Sequence, residues 1–497
     1  MTAFAQSFPP LAGGADGPAA LRPLLESVLA ALDAGRARRG GPLPAGDPAA
    51  LAELVAEAFR SAGGDALEQL TELLARGAAD PADPFCAAHL HCPPLALAVA
   101  ADLAVSALNP SLDSWDQAPA ATVLETELLA ELAALVGYRP ELSAGVLTSG
   151  GTESNLLALM LARDQVLPGH PELDGLDAAL RPRFFASRAA HFSVQRSAAL
   201  LGLGERAVVQ VEVDRELRMD GAALAEALAA AVRRGERPVA VVATAGTTDT
   251  GAVDPLHHCA DLAAEYGAWL HVDAAYGGGA LLSRRLAPLL DGVARADSVS
   301  LDWHKLGWQP TAAGIFLARR AETYASLARR AVYLNPADDE AAGYPSLLGR
   351  SLRTTRRADA FKIAVTLRTL GREGLGRLVD RCHELARAAA GAVRLRPELE
   401  LYGEPLLTTV LFRVLPADPA QRADPAAVDR LNARLRRRLL AEGRAVLGRT
   451  ELPGQGAGSV RLKLTLLNPH TTEAELERLL DLVVETGRAV ERAGAAE

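Results

Sequence analysis

Lys305, which follows His304 in the run Ser-Leu-Asp-Trp-His-Lys, and Asp273, in Leu-His-Val-Asp-Ala-Ala-Tyr, each close an apolar stretch of the chain. An amine and a carboxylate placed this way point to pyridoxal 5'-phosphate chemistry. The aldehyde of that cofactor needs an amine to hold it as a Schiff base, and its ring nitrogen needs a carboxylate to stay protonated and electron-withdrawing. Lys305 can supply the first and Asp273 the second. Each also has a plainer reading: a solvated lysine, a helix-capping aspartate, and, for His304, a histidine satisfied in the core.

A second motif belongs with them. Thr148-Ser149-Gly150-Gly151-Thr152-Glu153-Ser154-Asn155 opens a helical pattern. Its two glycines let backbone N–H groups approach an anion, and the helix start adds positive potential, so a phosphate fits there as well as a simple cap on Ser149 or Thr152 does. A third apolar run, Val241 to Thr248, ends in small hydroxyl residues. In open α/β sheets ligands bind beyond the carboxyl ends of strands, a rule that puts all these motifs in one crevice. Two decoys fall away. Gly202-Leu203-Gly204-Glu205-Arg206-Ala207 has the spacing of a dinucleotide fingerprint, but a helix-like run precedes it and a strand-like run follows, the reverse of a Rossmann turn. Cys86, His89, His91 and Cys92 invite a zinc site, yet no second ligand cluster follows, so no metal is expected.

Elements able to position these groups are visible around them. Short β-rich runs at 183–186, 238–244, 269–272, 298–301 and 314–317 alternate with helical stretches such as 153–166 and 256–266. That alternation predicts a mostly parallel sheet covered by helices on both faces. Ahead of it, helical patterns at 19–34, 49–62 and 65–76 make an N-terminal helical arm over residues 1–80, whose first 18 residues, rich in Gly, Pro and Ala, are expected to be mobile. Residues 81–349 form the large domain, ending in a mobile loop at 333–350 with Pro, Gly and acidic residues but no periodicity. Residues 350–497 form a smaller α+β domain: a long helix over 356–370, β-like runs at 408–414 and 459–466, and a closing helix from Thr472.

Bulk properties narrow the class of protein. The chain has 497 residues, enough for a sizeable core, with 49% hydrophobic and 23% charged residues. Its formal charge of −9 comes with both signs interspersed and no basic stripe, which excludes nucleic acid as a partner. The N-terminus lacks the charge and the apolar run of a secretory signal, and the most apolar window, 94–108, contains Asp102 and is too short to span a bilayer. No membrane partner and a cytoplasmic location are expected. Four cysteines without a Cys-x-x-Cys pair are expected to be reduced.

The chain resembles the group II pyridoxal phosphate-dependent amino acid decarboxylases over roughly residues 80–470. The resemblance is carried by Ala88-His89-Leu90-His91-Cys92-Pro93, Asp113-Ser114-Trp115-Asp116-Gln117, the 148–155 segment, Ala190-His191, Gly246-Thr247-Thr248, His271 to Tyr276, His304-Lys305, Tyr333-Leu334-Asn335-Pro336 and Thr354-Thr355-Arg356-Arg357. Within the family, the Asp-Ser-Trp-Asp-Gln segment, Gln309-Pro310 and the Tyr-Leu-Asn-Pro loop are most similar to bacterial L-2,4-diaminobutyrate decarboxylases and related lysine decarboxylases. The resemblance implies the aspartate aminotransferase-like fold (fold type I) and a homodimer with the active site at the interface. It implies that Lys305 binds the cofactor, Asp273 pairs with the ring nitrogen, Ala275 and His191 cover its two faces, Thr248 lies near the ring substituents, and Gly150, Gly151, Thr152 and His304 hold the phosphate. Arg356 would bind the substrate α-carboxylate, and Tyr333 would protonate the substrate α-carbon. Trp303, Leu306-Gly307-Trp308 and Ala358 depart from the family pattern.

The expected reaction is decarboxylation of an L-amino acid to an amine and CO2, with a diamino acid as substrate, whose distal ammonium Asp116, beside Trp115, could receive. Aromatic or acidic amino acids are the alternative substrates. An aminotransferase or an aldehyde-forming relative is the rival chemistry, and the latter typically lacks the loop tyrosine present here as Tyr333. A silent binding protein on the same fold is the non-enzyme alternative, disfavoured by the intact Lys305, Asp273 and His191.

Overall fold

The computed structural model describes residues 9–60, 65–329, 331–454 and 456–494. Residues 1–8 of the segment expected to be mobile, and residues 61 and 62 of the second helical pattern, lie outside the described residues. The arm consists of α1 (Gly17–Arg39), α2 (Pro48–Arg60) and α3 (Ala66–Gly77). Asp65 starts α3 by accepting from the N–H groups of Leu67 and Glu68. α1 lies close against α3 at Gly35, where a Cβ would stand 2.4 Å from the Glu72 carbonyl oxygen.

The large sheet has seven strands: β1 (Ala144–Thr148), β2 (Pro182–Ser187), β3 (Val208–Val211), β4 (Arg237–Thr244), β5 (Trp269–Ala274), β6 (Ser298–Asp302) and β7 (Gly314–Ala318). Their spatial order is β1-β7-β6-β5-β4-β2-β3. β7 alone runs antiparallel to its neighbours, so the carboxyl ends of β1, β4, β5 and β6 all reach the same edge. β5 shows why the sheet is central: all six of its residues are buried, as expected for a strand covered on both faces. α4 (Ala96–Leu108), α5 (Pro119–Val136) and α6 (Gly151–Val166) flank it. Leu157, Ala158 and Leu161 of α6 pack with Phe316 of β7, whose burial contributes roughly 1.5–3 kcal/mol.

The C-terminal part begins with a helical run, Ala360–Arg394, longer than the sequence pattern predicts and broken by Gly371 at φ 66°. An antiparallel sheet follows, in the order β10 (Gly448–Glu451), β11 (Val460–Thr465), β9 (Thr409–Val414), β8 (Leu399–Tyr402), with helices Pro425–Ala441 and Glu473–Gly494 against it. The 333–350 segment is not wholly irregular: Pro336 precedes a one-turn helix, Ala337–Ala341. Among the described residues no helix is long and apolar enough to cross a membrane.

Candidate active site

Asp273 sits near the end of β5, held by donors that fix its carboxylate. Oδ2 accepts from Asn155 Nδ2 at 2.8 Å; Oδ1 accepts from the Ala275 N–H at 3.1 Å and from Ser300 Oγ at 3.3 Å. Behind it runs a chain of polar groups whose donor directions are mutually consistent. Trp269 Nε1 donates to Ser298 Oγ at 2.9 Å, and Ser298 Oγ donates to His271 Nδ1 at 2.9 Å. His271 Nε2 donates to Asn155 Oδ1 at 2.9 Å, which leaves the Asn155 amide to serve Asp273 and Ser193 Oγ, the latter at 2.9 Å. Ser193 Oγ in turn reaches His191 Nδ1 at 2.9 Å. Burial pushes His271 down to about 4 against the opposing pull of Asp273, so it is a neutral donor here. One buried network therefore orients both the carboxylate expected at the ring nitrogen and the histidine expected on one face of the ring.

The start of α6 is built as an anion cradle. Its N-cap is Gly150, at φ 151° and ψ 179°, and no side chain caps the helix, so neither Ser149 nor Thr152 plays that part. The first-turn N–H groups are thus left for an anion. A Cβ on Gly150 would meet His304 Cε1 at 3.2 Å, and one on Gly151 would meet the Ala275 Cβ at 3.0 Å. Side chains there would fill the space that a phosphate needs. Gly314, at the start of β7, is equally constrained: a Cβ would lie 2.5 Å from Gly150 Cα.

Lys305 lies just beyond β6, its Nζ 2.9 Å from Asp302 Oδ2. His304 Nε2 faces the same oxygen at 3.5 Å, and its Nδ1 accepts from the Ala313 N–H at 3.3 Å. Burial lowers both His304 and His191 from the usual histidine range, with Asp302 opposing it at the first and Asp273 at the second. Cys92 packs beneath, its Sγ donating to the His304 carbonyl at 3.3 Å.

A cavity of about 370 Å3 joins these groups. Its lining brings together nine residues picked out from the sequence: Gly150, Gly151, Thr152, His191, Thr248, Asp273, Ala275, His304 and Lys305. An amine, a ring-nitrogen partner and an anion cradle thus share one cleft, and the residues present fit pyridoxal 5'-phosphate. Asn155 and Asp302 also line it and had been given no role. Asn155 was within the quoted helix-opening motif, one turn past the glycines, where a polar side chain on a buried helix face is the available signal.

Four expected substrate or catalytic residues stand elsewhere. Arg356 does not line the cavity: its side chain is 2% exposed, and Nη1 bonds Glu125 Oε1 at 2.7 Å and Oε2 at 3.0 Å. The reason is electrostatic, since Glu125 on α5 is fully buried and needs a cation beside it. Tyr333 is 83% exposed, Asp116 is exposed with Oδ1 taken by Ser114 Oγ, and Trp115 packs on Tyr344 with ring centroids 6.1 Å apart. The departures from the family pattern, Trp303, Trp308 and Ala358, are core residues, and Trp308 Nε1 donates to the Leu467 carbonyl at 2.8 Å.

A cleft of this kind at the strand ends of a mostly parallel sheet defines a fold type I pyridoxal phosphate enzyme. Residues 49–415 match the pyridoxal-dependent decarboxylase conserved domain, and the chain belongs to that family. It is 45% identical over 408 residues to the L-2,4-diaminobutyrate decarboxylase of Rhizobium meliloti (strain 1021), covering 82% of this chain and 79% of that one. It is 38% identical over 444 residues to the L-2,4-diaminobutyrate decarboxylase of Acinetobacter baumannii, covering 86% and 85%. A crystal structure described as the glutamate decarboxylase domain of diaminobutyrate-pyruvate transaminase and L-2,4-diaminobutyrate decarboxylase from Vibrio parahaemolyticus superposes with a TM-score of 0.85 at 34% identity, covering 96% of this chain and 98% of that one. The protein is a pyridoxal 5'-phosphate-dependent amino acid decarboxylase, a carboxy-lyase.

Proposed function

We propose that the substrate is an L-diamino acid: L-2,4-diaminobutyrate first, with L-lysine the longer member of the class. The observation that carries this is the charge of the cavity wall. Among the described residues two carboxylates, Asp273 and Asp302, line it, and no arginine does. Lys305 is the amine required for cofactor attachment and the ring nitrogen answers Asp273, so this wall offers an acidic side chain no cation to meet it. The likeness to the L-2,4-diaminobutyrate decarboxylases of Rhizobium meliloti and Acinetobacter baumannii supports the same choice.

When bound, pyridoxal phosphate supplies the electron sink for the bond that breaks. Lys305 tethers it, Gly150, Gly151, Thr152 and His304 hold its phosphate, and Asp273 keeps its ring nitrogen protonated. Ala275 and His191 cover the ring faces, with Thr248 at its edge. Tyr333 delivers a proton to the substrate α-carbon after the 333–350 loop closes, and closure excludes water. Arg356 acts as a positioning residue: Glu125 Oε1 also accepts from the Leu147 N–H at 3.4 Å, next to the cradle, and the Arg356 carbonyl accepts from the Leu112 N–H at 3.0 Å. It thereby fixes the segment bearing Trp115 and Asp116.

The working unit is a homodimer with the site at the interface. The arm supports this: α2 and α3 bury none of their residues, and Phe59 is 82% exposed. The four unpaired cysteines suit a reducing, cytoplasmic setting. Turnover of diaminobutyrate, lysine, glutamate and tyrosine, scored for CO2 and amine against keto acid, tests the assignment. Diaminobutyrate should rank first in kcat/KM; a preference for glutamate or tyrosine overturns it.

A further inference from the structure

Of the 52 lysines and arginines in the chain only three are lysine, Lys305, Lys362 and Lys463. None of them lies out on the surface: their side chains are 18%, 1% and 8% exposed. With arginine used everywhere else, lysine marks the places that need a compact ammonium rather than a planar fork. Lys305 has its chemistry with the cofactor, and Lys362 is held between Asp102 Oδ1 at 3.2 Å and Asp359 Oδ1 at 3.1 Å. Lys463 is left to explain.

Lys463 stands on β11 of the small domain and reaches out of it. Its Nζ donates to Asp249 Oδ1 at 2.7 Å and to the Thr248 carbonyl at 3.4 Å, both on the large-domain loop that follows β4. The small sheet makes room for its stem: Gly448 on β10 is paired with it, and a Cβ there would stand 3.0 Å from Lys463 Cε and 2.7 Å from the Ala88 carbonyl oxygen. Stability does not account for such a residue. Asp249 is half exposed and stays solvated without help, and a buried cation is commonly no more stabilising than an apolar side chain of its shape.

What the pair does fix is the tip of that loop. The Gly246 and Thr247 N–H groups donate to the Ala252 carbonyl at 3.0 and 2.9 Å, and the Gly251 N–H donates to the Thr247 carbonyl at 2.8 Å. These bonds enclose Thr248 and Asp249, whose hydrogen-bond partner outside the loop, among the described residues, is Lys463. Thr248 lines the cavity. The small domain meets the same wall twice more: a Cβ on Gly246 would stand 3.0 Å from Leu407 Cδ1, and the hydroxyl of Tyr276, also in the lining, is 2.8 Å from Thr408 Oγ1.

We propose that Lys463 is a positioning residue that holds Thr248 at the edge of the bound cofactor ring, so that one wall of the cleft depends on how the small domain is seated. This rests on the reading that Thr248 lies at the ring edge. Lys463 acts through the Thr248 carbonyl and the Asp249 carboxylate and touches neither cofactor nor substrate.

The test is a double-variant cycle in cofactor affinity, read on the full chain from the titrated visible absorbance. Thr248→Ala and Lys463→Met should each weaken binding about 3- to 10-fold, and the double variant no more than either alone, because both disable one contact. The visible band of the bound cofactor should shift the same way in both, while the Tm of cofactor-free Lys463→Met stays level or rises. Losses that multiply in the double variant, or wild-type affinity in Lys463→Met, overturn the proposal and leave Thr248 in place. A lowered Tm with an unshifted band assigns Lys463 to fold stability and overturns it too. Wild-type affinity in Thr248→Ala overturns the placement of Thr248 and the proposal with it. If Lys463→Met does not fold, Asp249→Ala, at a half-exposed site, replaces it in the cycle: the same non-additive loss supports the proposal, and unchanged affinity or multiplying losses overturn it.

Discussion

Asn155 Nδ2 donates to Asp273 Oδ2 at 2.8 Å, so the carboxylate assigned to the cofactor ring is oriented by a residue on the same helix whose first turn cradles the phosphate. α6 would thus fix two ends of a bound cofactor at once. A rigid helix holds such a distance better than two separate loops would, which suits a reaction that depends on electrostatic preorganisation.

Asn155→Ala should consequently lower kcat by about 10- to 100-fold, the equivalent of one strong hydrogen bond to a charged group. The cofactor should still bind, because the cradle and Lys305 remain. Steady-state kinetics beside a titration of the cofactor's visible absorbance separates the two effects.

The neutral state of His271 carries a pH prediction. Its folded-state value of about 4 lies below the ordinary 6.5, so between those values the unfolded chain binds more protons. Stability from this group is complete above about 6.5 and is lost as the pH falls toward 4. Asp254, pushed up to about 6 by burial, contributes with the opposite sign over an overlapping range. Subtracting the Tm-versus-pH curve of His271→Gln from that of wild type cancels Asp254 and should leave a difference that shrinks on acidification.

Breaking the Arg356–Glu125 pair should cost stability. Arg356→Met leaves a buried carboxylate without its cation, a change worth roughly 3–5 kcal/mol, whereas replacing both partners with apolar residues should restore most of it. Urea unfolding of the single and double variants measures this. A double variant that folds, binds cofactor and keeps the wild-type KM would confirm that Arg356 does not grip the substrate carboxylate in the reacting complex.

What the sequence disclosed follows from what each signal measures. Lys305, His304 and Asp273 were legible because their types match the needs of one cofactor and each ends an apolar run. The buried strands β4, β5 and β6 were legible as such runs. β1 was missed because its five residues include a glycine, and the edge strands β8 and β10 because each is only four residues long and carries charge, Glu400 in the first and Arg449 and Glu451 in the second. The pairing of Arg356 with Glu125 could not be read, since the two lie 231 residues apart and nothing in the intervening pattern marks them. Asp302 was in plain view within the lysine motif.

Gly150→Ala should weaken cofactor binding. A φ of 151° strains any residue with a Cβ, and the added methyl would crowd His304 at 3.2 Å. A loss of about tenfold in cofactor affinity, roughly 1.4 kcal/mol, is expected from the titrated visible absorbance, with the Tm of the cofactor-free protein lowered by the backbone strain.

Tyr333 gives the sharpest contrast between a role in chemistry and one in packing. At 83% exposure it supports no core, so Tyr333→Phe should leave Tm and cofactor affinity as they are. If its hydroxyl supplies the proton to the substrate α-carbon, the variant still loses CO2 but completes the amine slowly. A CO2-to-amine ratio rising above unity in the first turnovers is the expected result. Equal release of both products at the wild-type rate would assign the proton to another donor in the cleft, with His191 the first to examine, since its Nδ1 already accepts from Ser193 and its remaining proton is therefore on Nε2.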